Sequence, residues 1–107
     1  MASKETFVAF VCDQLRGVGA VRSRKMFGEY MIYVNDKPLL LLCDDTVFVK
    51  KLPALAELLQ NAPCGVPYDG SKEHYILDPE DADLLRKVVA ILEPITPLPK
   101  ARKAKKG

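Results

Sequence analysis

Apolar residues at helical spacing mark the first predicted element of the chain. They recur every three or four positions, as the buried face of an amphipathic helix requires. The residues of this stripe are Phe7, Phe10, Val11, Leu15 and Val18. Ser3 is placed to cap the helix at its start, and Gly17 is placed to end it.

After this helix the pattern becomes that of β-strands. In the first strand the side chains alternate between two faces, which puts Arg22 and Arg24 on one face and Lys25 on the other. The predicted strands span residues 21–27, 30–34, 39–43 and 47–50. Tight turns are expected at Asn35-Asp36 and at Asp44-Asp45. Four consecutive antiparallel strands predict a meander.

Two more helices and a fifth strand are predicted in the second half of the chain. Their order is a short helix over 52–59, a loop over 61–72, a strand over 75–77 and a final helix. Asp78 followed by Pro79 predicts the start of the final helix, because Asp caps helices and proline suits the first helical position. The order α-ββββ-α-β-α predicts a two-layer α+β domain with an antiparallel sheet. We expect Leu41 and Val88 in one core between the layers.

The second and third predicted strands are apolar on both faces, which suggests a surface for another protein. A solvated antiparallel sheet face should be polar at alternate positions. The final helix also carries a wide apolar stripe that leaves Leu84 and Ile91 at its margin. We therefore predict an interface, for a homodimer or a protein partner, that includes Met31, Tyr33, Leu84 and Ile91. The alternative is a central sheet that the helices cover completely.

Charge divides the 107 residues into an acidic body and a basic tail. Of the 16 Lys and Arg residues, five lie in the last eight positions, which leaves the body with fewer basic residues than its 14 acidic ones. The tail cations are Lys100, Arg102, Lys103, Lys105 and Lys106. We predict a domain over 1–94 and a flexible Pro-rich tail over 95–107 that attracts nucleic acid weakly and without sequence preference. Arg22, Arg24 and Lys25 form the dense basic cluster of the body, suited to an anion or a carboxylate-bearing partner. The alternative is a solvated strand edge whose basic residues oppose aggregation.

The sequence offers little support for catalysis, a cofactor or a metal. Cys43 or Cys64 with His74 as base is the strongest enzyme hypothesis, but no pattern fixes their geometry, and we expect no enzyme activity. Three widely spaced cysteines without a CxxC motif favour reduced thiols in the cytoplasm. Cys64 is the candidate redox sensor among them. We expect no membrane segment, because no run of about 18 apolar residues is present.

Three short motifs resemble those of a known family. The stretch Lys25-Met26-Phe27-Gly28-Glu29-Tyr30 is similar to the KMFGGY element of the TfoX/Sxy N-terminal domain family, with Glu29 in place of its second glycine. The resemblance continues at 43–50 and at 67–72, and it covers about residues 3 to 93.

The resemblance implies a fold similar to that of the secretion chaperones, which bind protein partners and often dimerise. It also implies a role in transcription, since full-length TfoX/Sxy proteins regulate natural competence together with a cyclic-AMP receptor protein. Those proteins carry a second, helical domain, whereas here a Pro-rich basic tail follows Glu93. We therefore expect a non-enzymatic, stand-alone regulatory domain that binds proteins. The alternatives are a nucleic-acid-associated accessory protein that uses the tail with Arg22 and Arg24, and a chaperone-like peptide-binding protein.

Overall fold

An antiparallel sheet forms one layer of the protein, and two α-helices form the other in the computed structural model, which describes residues 5–26, 29–67 and 69–98. The helices are α1 (Glu5–Gln14) and α2 (Ala82–Ile95). The strands are β1 (Val21–Met26), β2 (Glu29–Val34), β3 (Lys37–Cys43), β4 (Thr46–Lys50), β5 (Cys64–Gly65) and β6 (His74–Leu77). The predicted two-layer α+β fold is confirmed. The predicted cap Ser3 and the strand residue Phe27 lie outside the described residues.

The strand order is β1-β2-β3-β4-β6-β5, so the first four strands form the predicted meander. β6, the predicted fifth strand, lies beside β4. β5 falls inside the predicted loop over 61–72, where its residues Cys64 and Gly65 pair with Tyr75 and His74. Two residues are too few to show the alternation that identifies a strand in a sequence. Backbone pairing with the edge of β6 holds this segment in an extended conformation.

Two tight turns join the strands of the meander. Asn35 and Asp36 have φ angles of 54° and 67°, and Asp44 and Asp45 have φ angles of 53° and 55°. Positive φ at both central residues is typical of type I′ turns, whose twist matches that of hairpin strands. Asn and Asp visit this left-handed region more readily than other non-glycine residues. The predicted turns therefore form without glycine.

The core lies between the sheet and the two helices. Burial alternates along β2, where Tyr30, Ile32 and Val34 are buried against the helical layer. The helical layer contributes Val8 and Val11 of α1, Leu15 in the turn that follows α1, and Leu85, Val88, Val89 and Leu92 of α2. Since both helices share one cluster with the sheet, they cover the same sheet face.

Leu41 lies outside this core, contrary to expectation. Val88 is fully buried between the layers, as predicted. Leu41, however, is the cross-strand partner of Met31 and Phe48 on the other face of the sheet. Its neighbour Leu40 is the β3 residue that faces the helices. An unbroken run of leucines shows no alternation, so the sequence does not reveal which leucine faces which side.

The predicted short helix over 52–59 is instead a 3₁₀ turn, Pro53–Leu55, followed by further turns. The Leu59 N–H donates to the Leu55 carbonyl at 2.9 Å, which closes a single α-type turn. A helix nucleus is costly, and two turns of chain provide few hydrogen bonds to offset that cost. The segment still contributes the buried residues Leu55 and Leu59 to the core.

α2 begins three residues later than the sequence indicates. Asp81 caps this helix, and its carboxylate accepts a hydrogen bond from the Leu84 N–H at 3.0 Å. Asp78, the predicted cap, accepts from the Glu80 N–H at 2.9 Å and so closes a turn before the helix. The helix ends at Ile95, one residue beyond the predicted domain boundary. The five tail cations lie outside the described residues.

Candidate interaction surface

The sheet face that points away from both helices carries a row of apolar side chains. Cross-strand partners in an antiparallel sheet lie on the same face. We call this side the open face, and its residues are Arg22, Arg24, Met31, Tyr33, Leu41, Phe48 and Ile76. Phe48 is buried at the centre, and the other apolar residues around it are half-buried. The excess of apolar residues noted in the sequence therefore lies on the open face.

The register brings two predicted sites together. Arg22 is paired with Tyr33 and Arg24 with Met31, so the proposed cation pair and half of the proposed interface are neighbours. The Arg22 guanidinium lies 4.3 Å from the centre of the Tyr33 ring, and its Nε is 3.2 Å from an Asp36 carboxylate oxygen. Arg24 is exposed and has no ion pair among the described residues. The sequence predicts the basic pair and the apolar pair separately, but it does not predict that they are neighbours on one face.

The remaining predicted site residues lie elsewhere. Lys25 is paired with Tyr30, whose side chain belongs to the core face, so Lys25 leaves the sheet on the side opposite Arg22 and Arg24. Leu84 and Ile91 are partly buried and pack against the core from α2. Leu84 and Ile91 therefore belong to the helical layer, and they do not form one patch with Met31 and Tyr33 on the open face.

A cavity of about 380 Å³ opens where β3 and β4 separate. The two strands are paired from Leu41↔Phe48 to Cys43↔Thr46 and diverge beyond that point. The end of α2 lies against this gap, where Ile95 is 52% exposed. Among the described residues, the ionisable side chains that line the cavity are Lys50 and His74. The open face therefore has a concave, largely apolar feature beside its apolar row.

Comparison with known proteins identifies the family of this fold. A model of the TfoX N-terminal domain matches residues 13–88. The chain belongs to the TfoX N-terminal domain family. It is also similar to an uncharacterised 12.7 kDa protein in the trpE 5′ region of Spirochaeta aurantia, with 40% identity over 111 residues. That alignment covers 98% of this chain and 93% of the relative.

The motifs that resemble the TfoX N-terminal domain lie mostly at strand connections. Lys25 and Tyr30 flank the connection from β1 to β2, and residues 43–50 form the β3–β4 hairpin. Turn residues at these places specify the register of the sheet. The family motifs therefore account for much of the fold and supply Phe48 at the centre of the open face, whereas Arg24 and Met31 of that face lie outside them.

An ion pair ties the end of α2 to the start of β3 in this family member. Lys37 Nζ lies 3.0 Å from Glu93 Oε2 and donates to the Glu93 carbonyl at 2.7 Å. Hydrogen bonding by Lys37, with a smaller contribution from the Asn35 amide, lowers the pKa of Glu93. This contact holds the helix end beside the cavity.

Cys64 and His74 lie on opposite faces of the sheet in this TfoX N-terminal domain. Cys64 is paired with Tyr75 and shares its face, whereas His74, paired with Gly65, points to the opposite face. The His74 ring stands edge-on to Phe48, with ring centroids 6.3 Å apart. Burial, together with the nearby Glu29 carboxylate, raises the pKa of Cys43, which keeps this thiol protonated at neutral pH.

Within residues 5–26, 29–67 and 69–98, no helix has the length and apolar character that crossing a membrane requires. No group of three His, Cys, Asp or Glu side chains in the same ranges gathers closely enough to hold a metal ion. Asp44 and Asp45, the paired carboxylates of the β3–β4 hairpin, adopt the turn geometry described above.

Proposed function

We propose that this protein is a non-enzymatic regulatory domain that binds another protein through the open face. The apolar row next to Arg22 and Arg24, on the side of the sheet that faces away from α1 and α2, is the observation that carries this proposal. Apolar patches rimmed by polar residues mark interaction sites on soluble proteins. The adjacent cavity can receive an anchoring side chain of the partner.

The residue types of the open face support the same function. Tyr, Met, Phe and Arg are enriched in the centres of protein interfaces and among the residues that dominate binding energy. Tyr33 holds the Arg22 guanidinium over its ring, which fixes a long side chain before any partner arrives. A side chain already fixed in this way loses less conformational entropy on binding.

We extend the proposal to transcription as the regulated process, in line with the competence regulators that the sequence resembles. In this proposal the domain acts in the cytoplasm, where its thiols stay reduced. Binding at the open face would then control the activity of a protein of the transcription machinery.

The direct experiment compares proteins captured from a native extract by the wild type and by variants. Met31→Asp places a charge in the apolar row, and burying an unpaired charge in an interface is costly. Lys87→Asp, at an exposed position of α2, is the matched control. We expect one partner that the wild type and Lys87→Asp retain and Met31→Asp loses. Capture that is equal for all three would contradict binding at the open face.

A second copy of the chain is another partner with the required chemistry. A two-fold dimer would place the same patch on both subunits, so one charge would be introduced twice. Light scattering should then show a wild-type dimer that Met31→Asp dissociates, with an unchanged circular dichroism spectrum. A dissociation constant of about 1 mM corresponds to a binding free energy of roughly 4 kcal/mol. A wild type that stays monomeric at about that concentration would exclude this partner.

Binding to single-stranded nucleic acid is a second candidate function. The Arg22–Tyr33 stack beside the exposed cation of Arg24 is the observation that favours it, because bases stack on such cation–aromatic platforms. Affinity that falls steeply with salt and is lost in Arg24→Glu would support this candidate. Affinity that is unchanged both by higher salt and by Arg24→Glu would contradict it.

A further inference from the structure

β1 forms an edge of the sheet, and its outer side carries no strand among the described residues. The strand is six residues long, contains no proline and has four consecutive exposed residues, 22–25. The opposite edge is β5, which has two residues. An edge strand of this kind presents free backbone N–H and C=O groups to which an extended segment can add. β1 is therefore the edge of this sheet with the length to accept another strand.

A groove runs between β1 and α1 on the core side of this edge. The groove consists of two adjoining shallow cavities of about 440 and 300 Å³, and Ala9 and Cys12 of the helix line both of them. Val21 and Ser23 line it from the strand. Because these side chains are small, α1 leaves space next to the last strand. Side chains of an added strand would find room there.

The two sides of β1 differ in charge. Arg22 and Arg24 project to the open face. Val21 and Ser23 project to the groove, and Lys25, near the end of the strand, leaves the sheet on that same side. An added strand also alternates its side chains between two sides. Its residues on one side would lie beside the arginines, and those on the other side would lie over the groove. Acidic residues suit the first set, and small apolar residues suit the second.

We propose that β1 binds an extended segment of a partner protein as an additional strand, with acidic and apolar residues alternating along that segment. This proposal rests on the proposed function, since it specifies how a partner reaches the open face. Arg24, exposed and without an ion pair among the described residues, makes the main charge contact. Carboxylates beside guanidinium groups form the stronger, charge-assisted hydrogen bonds. The partner thus gains affinity from backbone pairing and specificity from the alternating charges.

A second copy of β1 does not fit this edge. Antiparallel pairing of two identical strands would set the arginines of one copy beside those of the other, and like charges opposite each other destabilise a sheet. The same cations oppose edge-to-edge aggregation. An acidic strand removes this repulsion, so the edge selects against itself and in favour of an acidic partner.

The test uses a labelled eight-residue peptide of alternating Glu and Val and the full-length protein. Fluorescence anisotropy measures the affinity, and hydrogen exchange measures the protection of the β1 amides. Two control peptides carry N-methyl groups on the odd or on the even backbone nitrogens, which blocks one edge of the peptide each. We expect binding, protection within residues 21–26, and a loss of about tenfold or more in affinity for one of the two methylated peptides.

Protein variants complete the test. Arg24→Glu should weaken peptide binding about tenfold or more, because it replaces a charge-assisted contact by repulsion. Lys87→Glu on α2 should leave it unchanged. Equal affinity for the parent and both methylated peptides would overturn strand addition, as would affinity that is indifferent to Arg24→Glu. If β1 fails these tests while Met31→Asp still abolishes partner capture, the proposed function stands and the strand-addition site does not.

Discussion

At the scale of single residues, Leu40 and Leu41 show how the two faces of the sheet differ. Leu40 is 1% exposed and packs in the core, whereas its neighbour Leu41 is half-buried on the open face. The alternation of a strand requires that they point in opposite directions. Sequence alone assigns both to a sheet but gives them equal hydrophobicity, so the register with Met31 decides which leucine is available to a partner.

Alanine substitutions at these two positions should have unequal effects on stability. Leu40→Ala leaves a cavity in the core and should lower the free energy of unfolding by about 2–5 kcal/mol. Leu41→Ala should lower it by about 1 kcal/mol or less, since solvent already reaches that side chain. Urea unfolding followed by circular dichroism measures both values. An equal or larger loss at Leu41 would show that the open face is covered within the monomer.

The Lys37–Glu93 pair gives the protein a pH-dependent contribution to stability. The pKa of Glu93 in the folded state is lowered, chiefly by the hydrogen bond from Lys37. Its contribution is therefore present above the unfolded value of about 4.3 and is lost as pH falls through the lower folded value. Glu93→Gln should remove this dependence, as measured by the urea midpoint between pH 6 and pH 3, about the range in which the carboxylate titrates. An unchanged pH profile in the variant would contradict the role of the pair.

At the scale of elements, the start of α2 illustrates what sequence signals leave undecided. Asp78 and Asp81 are both good capping residues, and Pro79 suits the first position of a helix. In the structure, Asp78 closes a turn and Asp81 caps the helix. The direction in which the chain leaves β6 decides between them, and that is a property of the packed fold.

The two aspartates should respond differently to substitution. Asp81→Ala removes the acceptor of the Leu84 N–H and should lower the free energy of unfolding by about 0.5–2 kcal/mol. Asp78→Ala loses a local turn contact in an exposed segment and should cost less, about 0.5 kcal/mol. Thermal unfolding of the two variants against the wild type checks this order. A larger loss for Asp78→Ala would place the functional cap at the earlier residue.

At the scale of the whole molecule, the helices, the meander and the hairpin turns follow from apolar spacing and turn residues. The open face and the groove are harder to predict from the sequence. The basic pair Arg22 and Arg24 and the apolar pair Met31 and Tyr33 are visible in the sequence, but their contact depends on the β1–β2 register. The groove beside Ala9 depends on how α1 crosses the sheet. Neither the β1–β2 register nor the crossing of α1 over the sheet corresponds to a recognisable pattern in the sequence.

The basic tail and the domain should contribute separately to any binding of DNA. The tail cations, residues 100–106, should give weak attraction without sequence preference, and each phosphate contact should add roughly 0.9 to the slope of log affinity against log salt. Removal of residues 96–107 should abolish that attraction, as measured by anisotropy of labelled duplex DNA at several salt concentrations. Affinity that stays constant between low and physiological salt would contradict the electrostatic account.

Hydrogen–deuterium exchange with and without the captured partner tests the central claim most directly. If the partner binds the open face, the amides of β1 and β2, residues 21–26 and 29–34, should exchange more slowly in the complex. The exposed face of α2 around Lys87 should exchange at the same rate in both states. Slower exchange confined to α2, with β1 and β2 unchanged, would contradict binding at the open face.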